Sequence, residues 1–209
     1  MLKVVDFEFI RNFWNNEFYR YSVDELNKYP LNEETIMFLS EVGLFNQKSR
    51  GSSMEFLEIF EMKIYDNRKF IKIGKSYVGE FCLNEIENEV FYFVFSRKNI
   101  FENSYCNSSV FEYTLFETIR KKITGTYEDV ADEALKGFEC ARAIVEEFKK
   151  INEKTIYPYS YWSIILYNYA INYFYDEDDK FEEAMKKGKY KNFEEAYFDV
   201  LFNGFDVLK

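Results

Sequence analysis

The sequence predicts a mixed fold in which a small antiparallel sheet lies amid helical sequence. Residues 70–95 are interpreted as a meander, because aromatic and β-branched runs alternate there with turn residues. Its strands are predicted at residues 70–73, 80–83 and 90–95, and a polar acidic turn at residues 84–88 joins the last two. Apolar residues recur at helical spacing on both sides of the meander, so helices are expected before and after it.

The remaining elements follow from periodicity and from capping residues. Before the meander, helices are predicted at residues 7–19 and 23–28 and between Asn32 and Gly43, and a strand is predicted at residues 54–65. After it, helices are predicted at residues 109–123 and 128–150, from residue 159 onward, and from residue 192 to Gly204. Three helices begin at residues whose side chains can satisfy the free N–H groups of a first turn. They are Asn32, Ser109 (with Glu112) and Asn192 (with Glu195).

Charge and histidine content exclude several classes of function. The 209-residue chain has a net charge of −10, whereas direct binding of nucleic acid depends on Lys and Arg that neutralise phosphates. The charge fits a basic protein partner, since complementary fields speed encounter; solubility alone is the other explanation. Because the chain contains no histidine, Ser-His-Asp and Cys-His mechanisms and histidine metal ligands are excluded.

The cysteines indicate a reducing compartment. Cys82, Cys106 and Cys140 are odd in number, far apart and without a C-x-x-C motif, so neither a disulfide scaffold nor a cysteine zinc site is expected. They are interpreted as small core side chains of a cytoplasmic protein. No apolar run approaches the roughly 18 residues of a membrane span, and residues 1–13 mix charges with apolar residues, unlike a signal peptide. No cofactor or metal is expected.

Two short motifs resemble ligand sites and fail on their spacing. Gly74, Lys75 and Ser76 resemble the end of a P-loop, but Lys69 stands where that motif needs a glycine, and a strand is predicted where it needs a helix. The glycines are interpreted as strand punctuation. The acidic run at residues 176–179 lacks the glycine and the spaced final glutamate of an EF-hand loop.

Four segments carry a family resemblance, in this order along the chain. They are Phe7 and Trp14 followed by Arg20 and Leu26; FLSEVGL at residues 38–44; IKIG at 71–74 with FCLNE at 81–85 and EVF at 89–91; and NSS at 107–109, leading to a helix with Phe116 and, later, YWS at 161–163. Together they resemble the SUKH superfamily, and within it the SUKH-4 immunity proteins. The chain departs from that pattern at Phe45, where proline is common, and residues 176–209 lie beyond the resemblance.

The resemblance implies a fold and a class of function. It implies an α+β fold with an antiparallel sheet flanked by helices, and a binding protein that neutralises toxins of bacterial conflict systems by direct contact; no catalytic residues come with it. Residues 1–175 are accordingly interpreted as the SUKH-like domain. Residues 176–209 are interpreted as an acidic linker and an amphipathic C-terminal helix that packs on the same domain.

Two acidic segments and an aromatic helix supply the candidate partner-binding residues. The first segment is the turn with Glu85, Glu87 and Glu89. The second comprises Asp176, Glu177, Asp178, Asp179, Glu182 and Glu183, which either imitate phosphates before a nuclease's basic groove or form a solvated run. In the aromatic helix, Trp162, Ile165, Leu166 and Tyr169 are interpreted as core. Tyr167 and Tyr175 are the candidate interface residues, because tyrosine is favoured as an interface anchor.

Three functions remain open from the sequence. The leading hypothesis is a non-catalytic inhibitor that binds and neutralises a toxin or nuclease by direct contact. A second hypothesis is a phage or mobile-element protein that inhibits a host nuclease such as a CRISPR effector; the same acidic surface would serve both. A third is a carboxylate-based hydrolase or transferase, which requires a concave pocket with two or more carboxylates.

Overall fold

A computed structural model describes residues 4–15, 17–45, 54–95, 101–127 and 133–208. The chain forms two compact units, Met1–Thr118 and Ile119–Lys209. The first unit contains helices α1 (Val4–Phe13), α2 (Val23–Leu26) and α3 (Glu33–Glu41), and strands β1 (Phe18–Tyr19), β2 (Leu44–Phe45), β3 (Glu55–Tyr65), β4 (Arg68–Lys75), β5 (Gly79–Asn84), β6 (Val90–Phe95) and β7 (Phe101–Asn107). Helix α4 (Val110–Thr124) runs from the first unit into the second. The second unit contains α5 (Ala134–Asn152), α6 (Tyr161–Asp176), α7 (Asp178–Lys186), α8 (Phe193–Asn203) and two short 3-10 helices.

The first unit is built on an antiparallel sheet of order β3-β4-β5-β6-β7, beside the two-stranded pair β1-β2. The predicted α+β fold and the three meander strands are confirmed, and so is the strand at residues 54–65. Strand β7 was not predicted, because Asn103, Ser104 and Asn107 give it little β propensity. A two-residue turn joins β3 to β4, and Asp66 and Asn67 both have positive φ there (49° and 60°), as expected of a tight hairpin.

Helix α4 packs on one face of this sheet, and α1 packs against α4 through Phe7 and Phe111. Phe81 of β5 contacts Tyr113 of α4, with ring centroids 5.3 Å apart. Trp14 follows α1, is fully buried, stacks on Phe45 at 4.8 Å and donates its Nε1–H to the Thr118 hydroxyl at 2.8 Å. The helix predicted at residues 7–19 is therefore too long: α1 ends at Phe13, and a positive φ at Asn15 turns the chain into β1.

An aromatic cluster lies on the opposite face of the sheet. It consists of Tyr65, Phe70, Cys82 and Phe93, all buried, and the Tyr65 and Phe93 rings are 4.4 Å apart. Cys106 and Cys140 are also buried and free, like Cys82. The expectation that the three cysteines are core residues is confirmed.

The second unit has an aromatic core formed by its helices. Phe148 of α5 packs edge-on against Trp162 of α6 at 5.3 Å, and Phe174 of α6 stacks on Tyr197 of α8 at 4.8 Å with nearly parallel rings. Asn192 caps α8 as predicted, since its Oδ1 accepts the Glu195 N–H at 2.8 Å. None of the helices in the described ranges is both long and apolar enough to cross a bilayer.

The polar stretch after α6 contains a helix, so the prediction of a linker there is wrong. Residues 178–186, which were predicted as part of a linker, form α7. Phe181 and Ala184 give this segment a buried face, and Asp178 and Asp179 lie in its first turn, where acidic side chains suit the positive end of a helix. Residue 175, the end of the domain predicted from the sequence, lies within the last turn of α6. The division at residues 175 and 176 stays a prediction.

Candidate functional site

The turn between β5 and β6 contains the first group of candidate residues and has a fixed backbone. The Asn84 N–H donates to the Glu89 carbonyl at 3.0 Å, and the Asn88 N–H donates to the Asn84 carbonyl at 3.2 Å. The Asn84 side chain closes the turn from within, because its Oδ1 accepts the Glu87 N–H at 2.7 Å. Residues 84–89 thus satisfy several of their own backbone groups without strand pairing.

Asn88 anchors the turn to the loop that precedes α3. Its side chain is buried, its φ is 56°, and its Oδ1 accepts the Asn32 N–H at 2.7 Å. Its Nδ2 donates to the carbonyls of Pro30 (3.2 Å) and Asn84 (3.1 Å). Asn32 in turn caps α3, accepting the Thr35 N–H at 2.8 Å as predicted. The turn is therefore held against the start of a helix, and its position does not depend on the strands alone.

The three glutamates of the turn differ in how far they are already engaged. Glu85 accepts from Lys69 at 3.3 Å, and Glu89 accepts from the Asn84 side-chain amide at 2.9 Å. Glu87 is exposed and makes no ion pair with any residue that the structure describes. Glu87 is the carboxylate of this turn that is best placed to meet a partner.

An apolar anchor stands beside Glu87. Ile86 is 84% exposed at the tip of the turn, where an isoleucine contributes nothing to the core. An open groove of about 510 Å³ adjoins it; its floor includes Phe70 and Phe91, and Arg68 lies over the Phe70 ring at 5.8 Å. Sequence reasoning missed Ile86, although an isoleucine between acidic residues in a turn is the signal that could have found it.

The aromatic candidates of α6 separate into a packed and an exposed residue. Tyr167 is half-buried, and its ring lies 5.5 Å from that of Phe198 on α8, so it serves mainly as packing. Tyr175 is 61% exposed at the end of the helix. Of the residues interpreted as core, Trp162 and Leu166 are fully buried, whereas Ile165 and Tyr169 are half-buried.

Ion pairs along α7 neutralise half of the second acidic segment. Each pair joins a glutamate to a lysine one turn later: Glu177 to Lys180, Glu182 to Lys186 at 3.0 Å, and Glu183 to Lys187 at 2.9 Å. Hydrogen bonds from these lysines hold the pKa of the Glu183 carboxyl below its usual range and raise that of the Lys186 ammonium. The carboxylates of Asp176, Asp178 and Asp179 make no ion pair within the described part of the chain. The charge that a partner would meet here is thus smaller than the sequence suggests.

Lys75 ends β4, Ser76 begins the turn to β5, and a strand follows where a P-loop needs a helix, as predicted. Gly74, interpreted as punctuation between strands, lies instead within β4 and pairs with Phe81. A Cβ at Gly74 would collide with the Met54 side chain, so the close approach of β3 explains the glycine. The Ser76 hydroxyl accepts the Gly79 N–H at 3.1 Å and shares a hydrogen bond with the Tyr92 hydroxyl.

The sequence also did not predict a largely buried network of charged and polar side chains on the sheet. Lys72 of β4 contacts the Glu80 carboxylate of β5 at 2.6 Å, and the Tyr65 hydroxyl donates to the same carboxylate at 2.5 Å. Burial raises the pKa of the neighbouring Cys82 thiol to about 12. Lys72 also lies 4.0 Å from the Glu61 carboxylate, which contacts Lys63. The charges of the network balance one another beside the aromatic cluster, so we assign it a structural role.

No protein-family model matches the chain, and neither a curated protein nor a solved structure shows significant similarity to it.

Proposed function

We propose that this protein is a cytoplasmic, non-catalytic inhibitor that binds a basic toxin or nuclease by direct protein contact. One observation carries the proposal: the β5–β6 turn holds an exposed Ile86 and an exposed Glu87 on a backbone that is fixed by Asn88. An exposed apolar side chain on a rigid turn resembles the anchor residues of protein interfaces more than it resembles a catalytic group.

Rigidity is what makes this turn suited to binding. A loop that must be ordered on binding loses affinity, whereas a loop already held by hydrogen bonds does not. Asn84 and Asn88 hold the turn in the free protein. Ile86 can therefore enter a partner's pocket at little cost in conformational entropy.

The charge of the turn and of the whole chain indicates what kind of partner surface would bind here. Glu87 lies beside Ile86, and the chain as a whole has a net charge of −10. Exposed charges at the rim of an interface mainly accelerate association and disfavour partners of like charge. A basic protein surface is the complement, in agreement with the binding role that the resemblance to SUKH-4 immunity proteins implies.

The test is inhibition of the protein encoded by the adjoining gene. That product is assayed for nuclease or toxin activity while this protein is titrated in. We expect saturable inhibition, with an inhibition constant that rises at least about tenfold in Ile86→Ala, as for a central anchor residue. Glu87→Gln is expected to slow association a few-fold and to reduce its dependence on salt.

Tyr77→Ala provides the matched control. Tyr77 is fully exposed in the β4–β5 turn, at the other end of the same strands, and its replacement is expected to leave inhibition unchanged. Equal loss in Tyr77→Ala and Ile86→Ala would show that the β5–β6 turn is not the contact. Failure of saturating wild-type protein to bind or inhibit the adjoining gene product would remove the support for the proposed function.

A further inference from the structure

The outer side of β3 is a free edge of the five-stranded sheet. β3 pairs with β4 alone, and no strand of the described chain lies on its other side. The Asp66–Asn67 turn pairs Tyr65 with Arg68, and in such a ladder alternate residues direct their N–H and C=O groups toward the neighbouring strand. The main-chain N–H and C=O groups of Ile64 and Met62 therefore point away from β4, toward the open edge.

A hydrogen bond on β4 supports this orientation. Ile64 pairs with Lys69, and the Lys69 carbonyl accepts the Glu85 N–H at 3.2 Å, on the side away from β3. The main-chain groups of Lys69 therefore point away from Ile64. By the same alternation, those of Ile64 point away from Lys69, to the open edge.

Two tyrosine hydroxyls occupy main-chain carbonyls in the N-terminal half of β3, whereas neither reaches the C-terminal half. The Tyr21 hydroxyl donates to the Leu57 carbonyl at 2.6 Å, and the Tyr29 hydroxyl donates to the Phe60 carbonyl at 2.7 Å. An irregularity between Phe56 and Glu61 also interrupts the pairing there. The regular part of the edge is residues 62–64, and no strand or side-chain hydrogen bond from the described residues reaches its outward main-chain groups.

The side chains of this part do little to protect it. Ile64 is 71% exposed and Met62 is 47% exposed, both on one face of the strand. On the other face, Lys63 contacts the Glu61 carboxylate at 2.7 Å. Natural edge strands are often protected by charged side chains, prolines or bulges. Lys63 is the one charged residue within residues 62–64, and it disfavours a strand that places a positive charge opposite it without excluding other strands.

We propose that residues 62–64 bind an extended segment of a partner protein, which adds a strand to the sheet. The segment has apolar residues opposite Met62 and Ile64, and an acidic residue opposite Lys63, because opposite charges on facing strands stabilise the pair. The main-chain hydrogen bonds supply the affinity and the side chains select the sequence. This surface is separate from the β5–β6 turn and goes beyond the proposed inhibitor function.

A second copy of this chain fits the edge less well. A two-fold antiparallel pairing through Met62 and Ile64 places Lys63 opposite the same lysine of the other copy, and like charges directly opposite are destabilising. A two-fold pairing centred on Met62 needs Phe60, whose carbonyl already accepts from Tyr29. A segment with its own sequence avoids both conflicts.

The test uses a capped peptide of sequence Ser-Thr-Val-Glu-Val-Thr-Ser with the intact protein. In antiparallel pairing its valines lie opposite Met62 and Ile64, where their N–H and C=O groups face the edge, and its glutamate lies opposite Lys63. Backbone amide NMR follows the titration. We expect saturable shifts at Met62 and Ile64, with hydrogen exchange at these two amides slowed at least about tenfold on saturation, as expected for amides that gain a stable hydrogen bond.

Two controls separate strand addition from other binding. A peptide N-methylated at both valines keeps its side chains but lacks the donors, and it is expected to bind at least about tenfold more weakly. Ile64→Pro removes an outward N–H without removing a bond to β4, and it is expected to weaken binding to the same degree, whereas Ile64→Val is not. Equal binding of the methylated peptide, or shifts that avoid residues 62–64, would overturn the proposal. A dimer in solution that Ile64→Pro abolishes would overturn the choice of occupant.

Discussion

Replacing Asn88 by alanine is expected to destabilise the protein by about 3–4 kcal/mol. The substitution removes the three side-chain hydrogen bonds to Asn32, Pro30 and Asn84 (2.7, 3.2 and 3.1 Å). At a net value of roughly 1 kcal/mol each, partly offset by water where the partners are exposed, they account for about 2–3 kcal/mol. Alanine must also adopt the φ of 56° that asparagine tolerates, which adds about 1 kcal/mol.

Chemical denaturation measures this loss, with Trp14 fluorescence as the probe in a Trp162→Phe background. Asn88→Gly is the matched control: it loses the same hydrogen bonds but adopts a positive φ without strain, so we expect it to be about 1 kcal/mol less destabilising than alanine. A loss within about 0.5 kcal/mol of wild type, the usual range of surface substitutions, would refute the view that Asn88 fixes the turn.

Three other substitutions or treatments test separate parts of the structure. Trp14→Phe leaves Thr118 without its indole donor and shortens a buried ring, so denaturation should show a loss of about 1–2 kcal/mol. Lys72→Met leaves the largely buried Glu80 carboxylate beside an apolar side chain and should cost about 3 kcal/mol. The double variant with Glu80→Gln, whose amide oxygen keeps an acceptor for the Tyr65 hydroxyl, should recover most of that loss in a double-mutant cycle. Because all three thiols are buried and burial raises the pKa of each, iodoacetamide at pH 8 should leave the native thiols intact and alkylate all three cysteines once urea unfolds the chain.

Local signals in the sequence were sufficient for the meander and for several helix starts. The three predicted meander strands lie within β4, β5 and β6, because glycines and the acidic turn interrupt runs of aromatic and β-branched residues. Asn32 and Asn192 cap α3 and α8 because capping depends on a residue and the N–H group three positions later. Caps and strand boundaries depend on residues that are close together along the chain, so they can be recognised from a single sequence.

Other features depend on contacts between distant residues and could not be predicted. The sequence indicates a polar turn at residues 84–88, but the burial of Asn88 depends on Pro30 and Asn32, more than fifty residues earlier. The ion pairs that neutralise part of the acidic segment depend on α7 being helical, because helical spacing brings Glu182 to Lys186. The open edge of β3 follows from sheet order, which local patterns do not specify.

The most direct test of the proposed inhibitor is an amide-exchange footprint in complex with the product of the adjoining gene. Hydrogen exchange is measured for this protein alone and with saturating partner. We expect protection in and around residues 84–89, with Ile86 and Glu87 at its centre, and little change at the Tyr77 turn. Protection confined to residues 175–183, or none at all with a bound partner, would contradict the assignment of the β5–β6 turn as the binding site.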